Sequence, residues 1–465
     1  MGLKGLREVV TGRRKLRFID VVVPVIFTFY TVMRAVDRVF STRISKIMES
    51  PAYATVYSNI IFTLGLFCAQ IICSLGYIAF QRFYKKDKRY GLGFFSPISP
   101  LASTTGRYPQ YLLFLFIIGD QLNTILLGWG APRADQDLQN IFSQFALVFT
   151  VIFAYFILKT RYSQNHIIAC VLVFLASFQT MTVEIQTNDP PLGTYTNGNG
   201  DTVKSPIIFI ILLFLASIPA AAGNVFKQWC LQGVGSKYGE LDIFYASTWS
   251  GFWQFILGLI LIPLMWINFG GEGTPISPST TGQAIGDTFT CFFGSAPPLR
   301  GNPTGQALID QQNQQQLCAG SSGSAFEWFL VYSIFNLSFN VTLLWLTKYL
   351  STTWAQVATG VVVGLSSILG QWKALMGPSA TALSFEEYMG IVIMCVALWT
   401  YCLEDEVNAD GEDVFLINKR RDEADGTVGD DKVHVDDLEQ PHRSSQMLTT
   451  AQMANGESAT KLIAR

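Results

Sequence analysis

Three charged side chains cluster in the second half of a stretch apolar enough to cross a bilayer. Between Ile19 and Phe40 the chain carries Arg34, Asp37 and Arg38. A charge near the bilayer centre costs roughly 2.5–3.5 kcal/mol on insertion scales, so three together must face one another or water. On a helix Arg34 and Arg38 share a face at i,i+4, and Asp37 adjoins it three residues after Arg34. One reading is an internal ion pair near the outer helix end. The other is one wall of a polar cavity, in which Arg38 attracts a substrate carboxylate or repels cations and Asp37 holds an amine. Further polar residues recur in apolar stretches: Asp120, Gln121 and Asn123; Gln144; Asn224; Asn336 and Asn340, spaced i,i+4; and Gln356. At membrane depth each must be satisfied by protein or by cavity water. Asp120 is the candidate for proton coupling, a carboxyl placed where its proton affinity is open to tuning. Its alternative role is a permanently hydrogen-bonded strut. The neutral side chains would supply hydrogen bonds to cargo or glue helices together.

The composition points away from other chemistries. Half of the 465 residues are hydrophobic, 14 % are charged, and 35 are Phe, where a soluble domain is about 25 % charged. No metal cluster, nucleophile elbow or phosphate loop is present. Residue 117 is Ile, so Gly119-Asp120 lacks the first glycine of the G-x-G-D pattern of intramembrane aspartyl proteases. An enzyme, a cofactor, a metal and a nucleic-acid partner are therefore not expected.

The elements that would position these residues are ten apolar stretches, near 19–42, 53–80, 109–129, 139–159, 164–184, 205–228, 241–267, 326–347, 352–374 and 386–403. Basic residues crowd the N-terminus (1–18) and the alternate gaps that hold Arg82 to Arg89, Lys159, Arg161, Lys227, Lys237 and Lys348. By the positive-inside rule both termini are cytoplasmic and the number of crossings is even. The outer gap 270–325 holds Cys291 and Cys318. Two cysteines in one non-cytoplasmic loop predict a disulfide, the alternative being two free thiols. From Glu404 to Arg465 the chain turns acidic and polar and is expected to be disordered. Within it Glu412, Leu416 and Ile417 fit an acidic dileucine signal for a sorting adaptor.

Five plus five crossings suggest an inverted duplication, 19–184 and 205–403, since an odd number reverses the second half. Matching echoes support it. Val36-Asp37-Arg38-Val39-Phe40 ends the first stretch and Gly223-Asn224-Val225-Phe226-Lys227 the sixth, while Ser143-Gln144 opens the fourth and Ala355-Gln356 the ninth. The ordered set of Asp37-Arg38-Val39-Phe40, Asp120, Ser143-Gln144, Leu158-Lys159-Thr160-Arg161-Tyr162, Asn224-Val225-Phe226-Lys227, Ser333-Ile334-Phe335-Asn336, Asn340 and Lys348-Tyr349-Leu350-Ser351-Thr352 resembles the chloroquine-resistance-transporter-like family of the drug/metabolite transporter superfamily. The resemblance runs from about Val21 to Leu403. It implies an all-α polytopic protein with ten transmembrane helices in two inverted five-helix repeats around a central cavity. It further implies alternating-access, proton-linked movement of amino acids, short peptides, thiol peptides or cationic drugs across a vacuolar or lysosome-like membrane, or less fittingly a plastid envelope. Here the outer loop has two cysteines where some relatives have four. The competing functions are a nucleotide-sugar or other metabolite exchanger of the same superfamily and a solute channel.

Overall fold

A computed structural model describes residues 18–48, 51–130, 136–187, 207–233, 236–266, 277–299, 324–372 and 385–401, together with short pieces between and after them. The expected sorting signal, Glu412 with Leu416 and Ile417, lies outside the described residues, as does all of 417–465.

The long helices are α1 (Phe18–Ile47), α2 (Thr63–Ala79), α3 (Gln110–Gly130), α4 (Gln136–Phe153), α5 (Gln164–Thr187), α6 (Ile207–Gln232), α7 (Ile243–Leu261), α8 (Ala325–Tyr349), α9 (Thr352–Gly370) and α10 (Phe385–Tyr401). The first is longer than its apolar stretch and carries Pro24 inside. π-helical turns Tyr57–Phe62 and Phe80–Tyr84 extend α2 at both ends. Among the described residues five stretches are long and apolar enough to cross a membrane: Tyr57–Tyr84, Gln110–Leu127, Ile211–Gln232, Ile243–Leu261 and Ala325–Tyr349. Ser143–Leu158, Gln164–Ala176 and Tyr388–Tyr401 are apolar but shorter. The chain is therefore a helical membrane protein. A two-stranded antiparallel pair, Thr194–Thr196 with Thr202–Lys204, links α5 to α6.

Local chemistry sets the helix starts. Asp242 accepts hydrogen bonds from the backbone N–H of Phe244 and Tyr245, at 2.9 and 3.0 Å, and so caps α7. Ser324 caps α8 through the N–H of Glu327, the serine-to-glutamate spacing of a capping box. Ser351 caps α9 through the N–H of Trp354 at 3.1 Å. These caps satisfy amide donors that the first helical turn leaves without partners.

In the bundle α3 packs along α6, α8 along α1, α10 along α5 and α7 along α2. Next come α4 on α6, α9 on α1 and α4 against α9. The α3–α6 crossing is set by glycine. A Cβ placed on Gly119 would lie 2.6 Å from both Gly223 Cα and the Pro219 carbonyl oxygen, so backbone touches backbone there. Small residues at such crossings permit the close approach that dispersion forces reward in lipid.

Between α7 and α8, Cys291 at the end of a short helix (Thr281–Phe292) is joined to Cys318, as expected. The bridge is buried among Phe40, Ile44, Phe292, Phe329 and Tyr332, clamping the loop onto the ends of α1 and α8. Closing a loop of 27 residues removes unfolded-chain entropy worth about 3 kcal/mol. Thermal unfolding in detergent with Cys291→Ser is expected to show a loss of that order. An unchanged midpoint would mean that the aromatic packing alone holds the loop.

Candidate functional site

The charges of α1 are gathered against α8. Arg34 Nη1 donates to Asp37 Oδ2 at 2.5 Å, and the other carboxylate oxygen, Oδ1, accepts from Asn336 Nδ2 at 2.9 Å. Asn336 Nδ2 also meets the Tyr332 hydroxyl at 2.9 Å. One turn on, Asn340 Nδ2 donates to Asn336 Oδ1 at 2.7 Å and to its carbonyl at 2.8 Å. Tyr332, Asn336 and Asn340 thus form an i,i+4 polar ladder along α8, with its middle rung on Asp37. The guanidinium of Arg34 lies over the Phe339 ring, 4.0 Å from its centroid. One turn below, Tyr30 and Thr359 share a hydroxyl hydrogen bond of 3.2 Å that ties α1 to α9. Arg38 lies within electrostatic reach of Arg34, Asp37 and Tyr30. Asp37 is 1 % exposed and the Arg34 side chain 28 %, so the carboxylate is enclosed while its partner keeps an open edge.

A second charged pair lies where α3 crosses α6. Lys227 Nζ donates to Asp120 Oδ2 at 2.5 Å and approaches Asn224 Oδ1 at 3.4 Å. Lys227 was expected among the charges of a cytoplasmic gap; the structure instead buries it within α6, beside Asp120. The reason is the reach of a lysine stem, which lets a residue near a helix end turn its ammonium onto a carboxylate of the neighbouring helix. The pair sits directly beside the Gly119–Gly223 contact, which brings the two helices close enough to share it.

Of the other expected residues, Gln121 is buried, whereas Asn123 and Gln356 are half-buried. Gln144 is buried on α4, its amide 3.4 Å from Ser143 Oγ and its carbonyl facing Gly360 of α9. The expected residues therefore form separate groups: Arg34, Asp37, Arg38, Asn336 and Asn340 on α1 and α8, Asp120 and Asn224 on α3 and α6, and Gln144 between α4 and α9. Sequence reasoning missed Tyr332 and Lys227 as members. Both carry a helical signal, Tyr332 four residues before Asn336 and Lys227 three residues after Asn224. It also missed Tyr30, whose phenol resembles any other aromatic in an apolar run.

Among the described residues no group of histidine, cysteine or carboxylate side chains is arranged to hold a metal. What these groups can do is present charge and hydrogen-bonding capacity inside the helix bundle, each held by protein partners.

The bundle and its paired polar groups define a multi-pass helical membrane protein with ionisable residues at its inner helix contacts. The profile of the CRT-like, chloroquine-resistance transporter-like, family matches residues 92–401, and the chain belongs to that family. Crt homolog 3 of Dictyostelium discoideum is 22% identical over 310 residues, covering 65% of this chain and 60% of that protein. The chloroquine resistance transporter of Toxoplasma gondii is 20% identical, covering 61% of this chain and 29% of that one. Protein CLT2, chloroplastic, of Arabidopsis thaliana is 24% identical, covering 56% and 53%. The match thus spans less than two thirds of each of these relatives.

Proposed function

We propose that the chain is a secondary transporter that moves small organic solutes by alternating access between two inverted five-helix halves, α1–α5 and α6–α10. The observation that carries this reading is the pattern of helix neighbours. Advancing every helix by five turns the α1–α8 contact into α6–α3 and α1–α9 into α6–α4, and returns α2–α7, α4–α9 and α5–α10 to themselves. A fold with that internal exchange has its substrate region where the halves meet. There, the α3–α6 contact is bridged by the Lys227–Asp120 ion pair, and at the α1–α8 contact Asp37, paired with Arg34 of its own helix, accepts a hydrogen bond from Asn336. Membership in a family named for a transporter supports the same reading.

The cargo fits amino acids, short peptides, thiol peptides or cationic drugs, carried across an acidic vacuolar or lysosome-like membrane with both termini cytoplasmic. Asp120 is the proton-coupling residue, because a proton arriving there releases Lys227 and unties α3 from α6. Protons and the bilayer are then its partners, with a sorting adaptor at the Glu412 signal. A nucleotide-sugar exchanger would need basic residues to hold a diphosphate, and Arg34 and Lys227 are both engaged by carboxylates. A solute channel would show no exchange with preloaded vesicles.

The test is uptake by proteoliposomes across a panel of amino acids, dipeptides, thiol tripeptides and amines, with and without an imposed pH gradient. Saturable uptake of at least one class, raised by the gradient and by preloading the vesicles, is the expected outcome. Flux that neither saturates nor exchanges would sink the carrier reading.

A further inference from the structure

The acidic tail does not leave the bundle at once. Beyond α10, Glu406 turns back and is buried, 1 % exposed. Its Oε1 accepts hydrogen bonds from Ser351 Oγ at 2.7 Å and from the Tyr401 hydroxyl at 2.5 Å. Val407 follows as a one-residue antiparallel bridge to Arg161, whose N–H meets the Val407 carbonyl at 2.7 Å. On the other side, Asn165 Nδ2 donates to Glu404 Oε1 at 2.9 Å, and His166 Nε2 lies 3.0 Å from the Glu404 carbonyl oxygen. Farther along, the N–H of Val414 donates to the Glu406 carbonyl at 3.0 Å. Composition placed Glu404, Glu406 and Val407 in a structureless tail; in the structure they form a docked strap.

The seat is built from both halves. Arg161, Asn165 and His166 belong to the turn between α4 and α5 and to the start of α5, whereas Ser351 caps α9 and Tyr401 ends α10. The same two halves touch under the strap, where the Tyr162 hydroxyl meets Thr353 Oγ1 at 2.8 Å. Taking a carboxylate out of water is costly unless its hydrogen bonds are replaced. A plain connection to a solvated tail would leave Glu406 outside. Replacing those bonds with hydroxyl donors makes a seat that is specific and can be vacated, since hydroxyls keep water as an equal alternative partner.

We propose that Glu404, Glu406 and Val407 form a latch on the transport cycle. Seated, it holds the starts of α5 and α9 together and keeps the pathway shut at that end. Turnover requires it to lift, and Glu406 is the residue that positions it. The inference rests on the alternating-access reading, in which the halves must part at each end in turn.

The test uses full-length protein in proteoliposomes carrying Arg161→Cys with Val407→Cys, the bridged pair, and the two single variants as controls for the native cysteines. Oxidation is expected to cross-link the double variant and to cut uptake by about tenfold, as for a gate that limits turnover. Reductant should restore it, and the single variants should be indifferent. Adding Glu406→Gln should lower the cross-linking yield several-fold; Asn165→Ala, at a half-buried rim position, gives a milder version should the first variant fold poorly. Cross-linked protein that transports at the reduced rate would overturn the latch, and a yield unmoved by either substitution would remove Glu406 from its role. Reduced protein that moves no solute would count against the transport reading instead, while the yield would still report what seats the strap.

Discussion

Asp120→Asn should destabilise the protein by about 3 kcal/mol, more than Lys227→Gln does, and the double variant should cost less than the two single costs added together. Removing one partner of a buried pair leaves the other charge uncompensated, at about 3–5 kcal/mol. The asymmetry comes from burial, because the Lys227 side chain is 9 % exposed and that of Asp120 is 30 %. Without Asp120 the stranded ammonium has little access to water. A stranded Asp120 has more. The asparagine amide still accepts one hydrogen bond, which keeps the loss at the lower end of the range. Thermal unfolding in detergent, arranged as a double-mutant cycle, reads the coupling directly, at about 0.5–3 kcal/mol for residues in one network. Strict additivity would mean that the two groups do not act as a pair. In proteoliposomes Asp120→Asn should also abolish the response of uptake to a pH gradient; an undiminished response would remove Asp120 from coupling whatever its part in stability.

Asp37→Ala should have the larger effect of any single change on α1. Both carboxylate oxygens are engaged, by Arg34 and by Asn336, and the residue is 1 % exposed. Its removal strands the guanidinium beside Phe339 and takes away the partner that holds the middle of the α8 ladder. A loss of about 3–5 kcal/mol follows for the charge alone. Asn340→Ala, at the end of the same ladder, removes only neutral hydrogen bonds and should cost about 1 kcal/mol. The comparison decides the architecture. Size-exclusion profiles of the two variants in detergent should show Asp37→Ala largely misfolded and Asn340→Ala close to the parent. Equal behaviour would mean that Asp37 is not the anchor of the network.

The sequence conveys some parts of this molecule better than others, for physical reasons. An apolar run marks a helix however its neighbours are arranged, so the positions of α1–α10 follow closely from hydropathy. The i,i+4 spacing of Asn336 and Asn340 likewise announces a polar face. Cys291 and Cys318 announce their pairing because they are the two cysteines of the one long gap between α7 and α8. What hydropathy cannot supply is partnership between distant segments. Nothing local to Asp37 points to Asn336, and nothing local to Asp120 points to Lys227, since each pair is made by a helix crossing. Lys227 was misplaced because a basic residue near a helix end looks the same whether its stem reaches outward or inward. Glu406 was misplaced because an acid in an acidic run carries no sign that one residue turns back into the protein.

At Gly119 and Gly223, bare backbone bears on bare backbone beside Pro219. Two helices meeting through interlocked side chains must unmesh before they can turn, and each tooth resists. Two that meet at glycine have no teeth at that point, so α3 can roll on α6 as on a smooth journal, with the nearby Lys227–Asp120 tie acting as the brake. Cutting that tie, by substitution or by a proton, should therefore change how fast the bearing turns more than where it comes to rest.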